Sequence, residues 1–294
     1  MKLLLLGCNG QVGWELRRSL ATLGEVVALD AEGADLSKPE SVAARVRELR
    51  PAAVVNAAAW TAVDRAESEP ERARTVNALA PGALAREAAA TGAWLLHFSS
   101  DYVFDGSGDA PRADDAPPGP LNAYGRGKLE GEQLIRASGC HHLILRTSWV
   151  YAARGANFAK TMLKLAAERD SLAVIDDQVG APTGAELLAD VAALALRRAM
   201  AEPALAGTYH CVAAGHTSWH GYARFVIERA RALGHPLRAT PEAVRPIPTT
   251  QFPTPARRPL NSRLDTTKLR QAFGLHLPPW QDGVERLLAE LAPR

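Results

Sequence analysis

The sequence predicts an α/β protein with two parts. A doubly wound parallel sheet occupies residues 1–149, and a smaller substrate-binding domain occupies residues 150–294, with some of its elements returning to the first. Three observations carry this. Short, uniformly apolar runs alternate with segments of helical periodicity, as when strands are buried on both faces by crossover helices. A glycine-rich turn, Gly7-Cys8-Asn9-Gly10-Gln11-Val12-Gly13, joins the first run to the first helical segment, which makes the sheet one of Rossmann type. Past Trp149 the alternation stops, and seven prolines gather between Pro236 and Pro259.

Leu3 to Leu6 reads as a buried strand ending at Gly7, and Trp14 to Leu23 as a helix stopped by Gly24. Glu25 to Leu29 is a second strand ending at Asp30, Ser41 to Leu49 a helix stopped by Pro51, and Ala53 to Asn56 a third strand. Pro70 to Thr91 is a long alanine-rich helical stretch, followed by a strand from Trp94 to Phe98 that runs into Ser99-Ser100. Tyr124 to Ser138 is a helix, and His142 to Arg146 a strand leading to Thr147-Ser148-Trp149. In the second part, Asn157 to Arg169, Glu186 to Ala201 and Tyr222 to Leu233 are helical, and Thr208 to Val212 is a strand. The proline-rich segment precludes a long helix or a central strand and suits a surface wrap or a cleft wall. Asp265 is placed to cap a short helix ending at Gly274.

Bulk properties narrow the function. Hydrophobic content of 47% and charged content of 22% are ordinary for a globular chain, and a net charge of +2 gives no reason to expect nucleic acid or an anionic membrane as partner. Cys8, Cys140 and Cys211 are odd in number and widely spaced, which argues against a disulfide framework or a zinc site. Only four leucines precede Gly7, and no apolar run approaches spanning length, so a reduced, cytoplasmic protein is expected.

The glycine turn follows a strand and opens a helix, the context a dinucleotide site requires. Gly7, Gly10 and Gly13 let the backbone approach a pyrophosphate at the positive helix end, with Gln11 and Val12 in the same turn. Asp30 closes the second strand, where a carboxylate accepts from the adenosine ribose and disfavours a 2′-phosphate. NADH is therefore the simple expectation, and NADPH stays open. Small residues at Asn56-Ala57-Ala58-Ala59 let the chain pass close to the cofactor, and Asp35-Leu36 lie where adenine is to be met.

Tyr124 and Lys128 are four apart and share a helix face. A phenol with a pKa near 10 is a poor proton shuttle at neutral pH, and a neighbouring ammonium lowers it. The same lysine can hold the nicotinamide ribose. Ser100, at the end of a strand, can polarise a carbonyl and orient it for proton transfer. On an isolated helix a Tyr and Lys at this spacing is a common surface pair; behind a cofactor turn and a strand-end serine it reads as catalytic.

With these residues in place, the sequence resembles the extended short-chain dehydrogenase/reductase family, in particular its members that reduce a dTDP-linked 4-keto-6-deoxysugar. The matching stretches run nearly end to end: Gly7 to Leu16, Asn56 to Pro70, His97 to Asp105, Leu121 to Lys128, Arg146 to Tyr151, Asn157 to Met162, Asp177 to Ala185 and Arg258 to Leu264. The resemblance implies hydride delivery to C4 of dTDP-4-dehydro-L-rhamnose, the last step of dTDP-L-rhamnose synthesis. Tyr124 would supply the proton, Lys128 tune Tyr124 and bind ribose, and Ser100 bond the carbonyl. It also implies that Asp101 and Trp149 stand against the sugar and that Ala59-Trp60-Thr61 flank the cofactor. Arg257, Arg258 and Asn261 are candidates for the substrate side. Ser100 stands where these reductases often have threonine, an equivalent hydroxyl; Trp60 stands where histidine or tyrosine is expected, which leaves the polar role of that side chain open. A homodimer is implied, and some members hold Mg2+ at a subunit contact through glutamates at the positions of Glu15 and Glu186. Exposed helix carboxylates explain those two glutamates without a metal, so none enters the expected chemistry.

Two other readings compete. A dehydratase of this fold needs an Asp-Glu pair after the strand-end hydroxyl, and an epimerase needs small residues there; Asp101-Tyr102 fits neither. The chain also resembles the dinucleotide-binding subunit that regulates methionine adenosyltransferase, which would bind cofactor without turnover. The intact Ser100, Tyr124 and Lys128 count against it.

Overall fold

Six parallel strands build the centre of the molecule, in a computed structural model that describes residues 1–293. They are β1 (Lys2–Leu6), β2 (Glu25–Leu29), β3 (Ala53–Asn56), β4 (Trp94–Ser100), β5 (His142–Thr147) and, far later in the chain, Gly207–His210. Their order across the sheet places the last beside β5, then β4, β3, β1 and β2. The direction of winding reverses beside β1, so the carboxyl ends of β1 and β3 flank the crevice where such sheets bind ligands.

Helices α1 (Gln11–Ala21), α2 (Pro39–Leu49), α3 (Val63–Ser68), α4 (Pro70–Arg74), α5 (Ala80–Thr91) and α6 (Ala123–Ala137) make the crossovers. The remaining elements are β6 (Val150–Tyr151), α7 (Phe158–Glu168), β7 (Leu172–Ile175), β8 (Val179–Gly180), β9 (Thr183–Gly184), α8 (Ala185–Ala201), β10 (the sixth sheet strand), β11 (Thr217–Ser218), α9 (Trp219–Ala232), β12 (Val244–Ile247), α10 (Thr267–Phe273) and α11 (Trp280–Glu290). On one sheet face Leu3, Leu5 and Leu96 pack with Leu16 and Leu20 of α1 and Leu188 and Leu196 of α8. On the other, Leu4, Leu6 and Val54 meet Val42 of α2, Leu84 of α5 and Ile135 of α6. A separate core joins α7, α9 and α11 through Met162, Tyr222, Val226 and Trp280. No described helix is long and apolar enough to cross a membrane.

Several elements differ from the expectation. The stretch 70–91 is not one regular helix: Thr75–Leu79 forms a π turn between α4 and α5. Pro81 has no N–H to return to the carbonyl of Asn77, so the ladder loosens there. The first helix starts at Gln11 rather than Trp14, because the glycine turn itself supplies the first helical turn. Asp265 does not cap α10; Thr266 occupies that position, and Asp265 instead accepts from the Thr267 amide at 2.8 Å. Strand β7 and helix α11 were not anticipated. β7 pairs with β12, whose Pro246 is tolerated because this is a two-stranded pair outside the main sheet.

Candidate active site

The crevice is built from strand ends. Gly7 leaves β1 with φ +76°, and its amide and that of Cys8 donate to Leu29 O at 2.9 and 3.2 Å, tying the turn to the end of β2. A methyl group on Gly7 would stand 2.7 Å from Ala58 N, and one on Gly13 would stand 2.0 Å from Gly7 O. Gly10 starts α1 with no side chain capping it. The amides of Gln11, Val12 and Gly13 thus open an uncapped positive helix end behind a side-chain-free cradle, an arrangement that fits a pyrophosphate.

Asp30 stands at the mouth of this cradle. Its Oδ2 accepts from Asn9 Nδ2 at 3.0 Å, and its Oδ1 from the amides of Glu32 and Gly33 at 3.1 and 3.2 Å. Asp35 accepts from the Ser37 amide at 2.9 Å, and Leu36 is buried in the core beside α2. After β3, Asn56 is buried and Ala57 to Ala59 are partly exposed to the crevice. Trp60 is gripped by Asn77, and its ring lies under Arg65 and Arg72 while Thr61 faces solvent.

Ser100 ends β4 and begins a one-turn 3₁₀ segment at Asp101–Val103. It accepts from the Tyr102 amide at 3.2 Å and donates to Asp101 Oδ1 at 2.8 Å. Asn122 caps α6 by accepting from the Gly125 amide at 2.8 Å. The start of α6 presses on the 101–103 turn so closely that a methyl on Gly125 would lie 2.2 Å from Tyr102 O. That approach brings the Tyr124 phenol beside the Ser100 hydroxyl.

Burial sets the local charges. It pushes the Tyr124 phenol up to about 12, with Asp101 adding to the rise and Ser100 opposing it. It raises the Asp101 carboxyl to about 6, against the opposing influence of the nearby Ser262 and Ser100 hydroxyls. It draws the Lys128 ammonium down to about 8. Lys128 lies on the same helix face as Tyr124, but its Nζ donates to Phe98 O at 2.6 Å and stands 3.4 Å from His97 Nε2. Among the described residues it makes no hydrogen bond to Tyr124, so the phenol is not held down by an ammonium as the spacing suggested.

Trp149 adopts φ +49°, costly for a bulky residue. Its indole stacks on Trp219 with centroids 3.6 Å apart, and Trp219 Nε1 donates to Gln178 Oε1 at 3.1 Å. Trp219, Gln178, Tyr102, Phe158, Phe252, Arg169 and Arg258 line an adjoining cavity of about 450 Å³. Arg258 bonds Asp64 at 2.8 Å and has a buried Nη1 without a protein partner. Arg257 is exposed, its carbonyl accepting from Asn122 at 2.8 Å. Asn261 does not face this cavity: its amide donates to Ser107 O and Ala110 O, bracing the 107–110 loop.

Sequence reasoning missed Asn77, Arg154 and Asn157. Arg154 Nε donates to Asn9 O at 3.2 Å and its guanidinium lies 4.2 Å over the Trp14 ring. Asn157 Nδ2 donates to Gln11 Oε1 at 3.0 Å. These contacts join the glycine turn to a segment about 145 residues away, which no local spacing announces; Asn157 was visible only as the start of a helix and of a matching stretch. Glu15 and Glu186 stand on a different face, close enough that Glu186, after burial, raises the Glu15 carboxyl. Glu186 pairs with Arg286 at 3.0 Å. No group of three or more His, Cys, Asp or Glu among the described residues is placed to hold a metal ion.

The model of one family, RmlD substrate binding domain, matches residues 1–292. The chain belongs to this family. It is 55% identical to the dTDP-4-dehydrorhamnose reductase of Escherichia coli (strain K12), over 99% of this chain and 98% of that one. Among solved structures it resembles a dTDP-4-dehydrorhamnose reductase from Clostridium acetobutylicum, with a TM-score of 0.89 and 35% identity over 99% of each chain. It also resembles the Bacillus anthracis reductase in complex with NADP, with a TM-score of 0.88 and 32% identity, covering 98% of this chain and 99% of that one. This RmlD-family chain thus shares the fold of its relatives over nearly its whole length.

Proposed function

We propose that the protein is an NADPH- or NADH-dependent reductase that converts the C4 ketone of dTDP-4-dehydro-L-rhamnose to the alcohol, yielding dTDP-L-rhamnose. The observation that carries the assignment is the meeting of Ser100, Tyr124 and Lys128 where the start of α6 presses on the carboxyl end of β4, beside the glycine cradle and the aromatic cavity.

Gly7, Gly10, Gln11, Val12 and Gly13 would hold the pyrophosphate, Asp30 the adenosine ribose, and Ala59, Trp60 and Thr61 the far wall. When bound, the nicotinamide supplies the hydride. Ser100 donates to the ketone oxygen and orients it. Tyr124 gives its proton to the oxygen as charge develops there. A phenol raised to about 12 stays protonated at neutral pH and so serves as the acid in the reducing direction. Lys128 faces the ribose. Asp101 and Trp149 border the sugar, the indole against its deoxy face. The cavity suits a nucleoside diphosphate: aromatic rings for the base, Arg258 and Arg169 for the phosphates. The homodimer and the cytoplasmic location belong to the same reading; sedimentation equilibrium tests the first.

The test is loss of reduced nicotinamide when the purified protein meets the ketosugar made in situ by the preceding epimerase. Substrate-dependent oxidation that yields dTDP-L-rhamnose, and its loss in Tyr124→Phe with cofactor affinity kept, is the expected result. Cofactor binding without oxidation of any nicotinamide would favour the regulatory-subunit reading instead.

A further inference from the structure

Lys128 ends a buried chain of polar side chains that the reaction above does not use. Asn56 on β3 and His97 on β4 are directly opposite one another in the parallel register, and each is 1% exposed. The Ala58 amide donates to Asn56 Oδ1 at 3.2 Å. This fixes the orientation of the Asn56 amide, since the reverse would set Nδ2 against another N–H. Asn56 Nδ2 then donates to His97 Nδ1, 3.1 Å away.

A neutral imidazole that accepts at Nδ1 carries its hydrogen on Nε2. Burial, then the nearby Lys128, holds His97 well below the usual histidine range, so the ring is neutral. Its Nε2–H faces Lys128 Nζ at 3.4 Å. An ammonium has three donors and no acceptor, so it would set hydrogen against hydrogen; an amine has a lone pair to offer. The neutral amine accepts from His97 and still donates to Phe98 O at 2.6 Å.

The other charge near Lys128 is Glu132, one turn along α6, which favours the ammonium. Its carboxylate is taken up by Arg146 of β5 at 2.7 and 2.8 Å and by Arg136 at 3.1 Å. Tyr124, on the same helix, is held neutral by its own burial.

We propose that Asn56 and His97 are positioning residues that favour the neutral amine of Lys128 by presenting it with the Nε2–H tautomer of His97. Burial alone lowers the lysine, and the tautomer adds a donor that an ammonium cannot meet. Lys128 then changes charge within the working pH range rather than remaining a fixed cation. The hydrogen-bond logic stands apart from the catalytic role assigned to Lys128; only its consequence for turnover rests on that role.

The test is spectroscopic and uses the full chain. Imidazole ¹⁵N shifts report the tautomer of His97, and ¹³Cε shifts of labelled lysine report the titration of Lys128, assigned by its absence in Lys128→Met. The expected result is an unprotonated Nδ1, a protonated Nε2 and a Lys128 midpoint well below that of the exposed lysines. Asn56→Asp offers acceptors to both Ala58 and His97, so the tautomer reverses and the midpoint rises by about one pH unit or more. His97→Gln, which keeps an acceptor toward Asn56 and a donor toward Lys128, holds the midpoint near that of the wild type. The new carboxylate of Asn56→Asp also raises the lysine by its charge, so the tautomer and the glutamine variant carry the decision. A protonated Nδ1 in the wild type, or a Lys128 that titrates with the exposed lysines, would overturn the proposal. Neither outcome bears on reductase activity, which the substrate assay decides separately.

Discussion

Asn77 holds the main chain of Trp60 at both ends. Its Oδ1 accepts from Trp60 N at 2.9 Å and its Nδ2 donates to Trp60 O at 3.0 Å. The π turn that places Asn77 under this loop exists because Pro81 cannot close the regular helical bond. Asn77→Ala would leave two backbone groups of the cofactor-side loop without partners, a cost of about 2–3 kcal/mol. We expect a lower melting temperature and a severalfold higher KM for the nicotinamide, with kcat little changed. A fall in kcat at unchanged KM would place the residue in the chemistry instead.

Asp101 is 3% exposed and its Oδ2 has no hydrogen-bond partner in the protein. Its carboxyl, raised to about 6 from an ordinary 3.8, binds a proton more tightly folded than unfolded. Stability is therefore greatest below the unfolded value and falls as the pH rises from about 4 to about 6, by about 3 kcal/mol in all. Asp101→Asn should remove that slope, gaining stability relative to wild type at pH 8 but not at pH 4. Urea unfolding at the two pH values measures it; parallel curves would show that Asp101 is not buried as a carboxyl.

Asp30 engages Asn9 and two amides through its oxygens, at the mouth of the glycine cradle. Asp30→Ala should raise KM for NADH about tenfold, the worth of a charged hydrogen bond to a ribose hydroxyl. KM for NADPH should change less, because the same carboxylate repels the 2′-phosphate. Equal loss for both would take Asp30 out of ribose recognition.

Glu132 on α6 and Arg146 on β5 form a buried pair that fixes α6 to the sheet. Burial would raise Glu132, but the hydrogen bonds and charge of Arg146 outweigh it and hold the carboxyl below its ordinary range. Glu132→Gln strands a buried guanidinium and should cost about 3–5 kcal/mol, whereas Glu132→Leu with Arg146→Met should cost far less. Denaturant midpoints of the single and double variants decide this.

The central strands were legible because each is apolar throughout and punctuated by glycine, proline or a strand-end polar residue. The positions of the glycine turn after β1, Asp30 after β2 and Ser100 at the end of β4 were legible for the same reason, because each is set by local punctuation; the Tyr124–Lys128 spacing gave the shared helix face but not the partner of Lys128. The π turn, strand β7 and helix α11 were not. A proline in a helical stretch does not reveal how the ladder yields, β7 depends on a partner some seventy residues away, and α11 has no sequence signal beyond its periodicity.

The chain by itself determined the sheet, the cradle and the identity of the hydroxyl, phenol and amine gathered at its edge. Those follow from side-chain chemistry and short-range spacing. Tertiary structure alone decided which way Lys128 points, that Asn261 braces a loop rather than lining the cavity, and that Asn77 grips Trp60. The physical reason is burial: a lysine's partner and charge depend on desolvation and on Asn56 and His97, 41 residues apart, meeting in register, and neither exists until the strands pair.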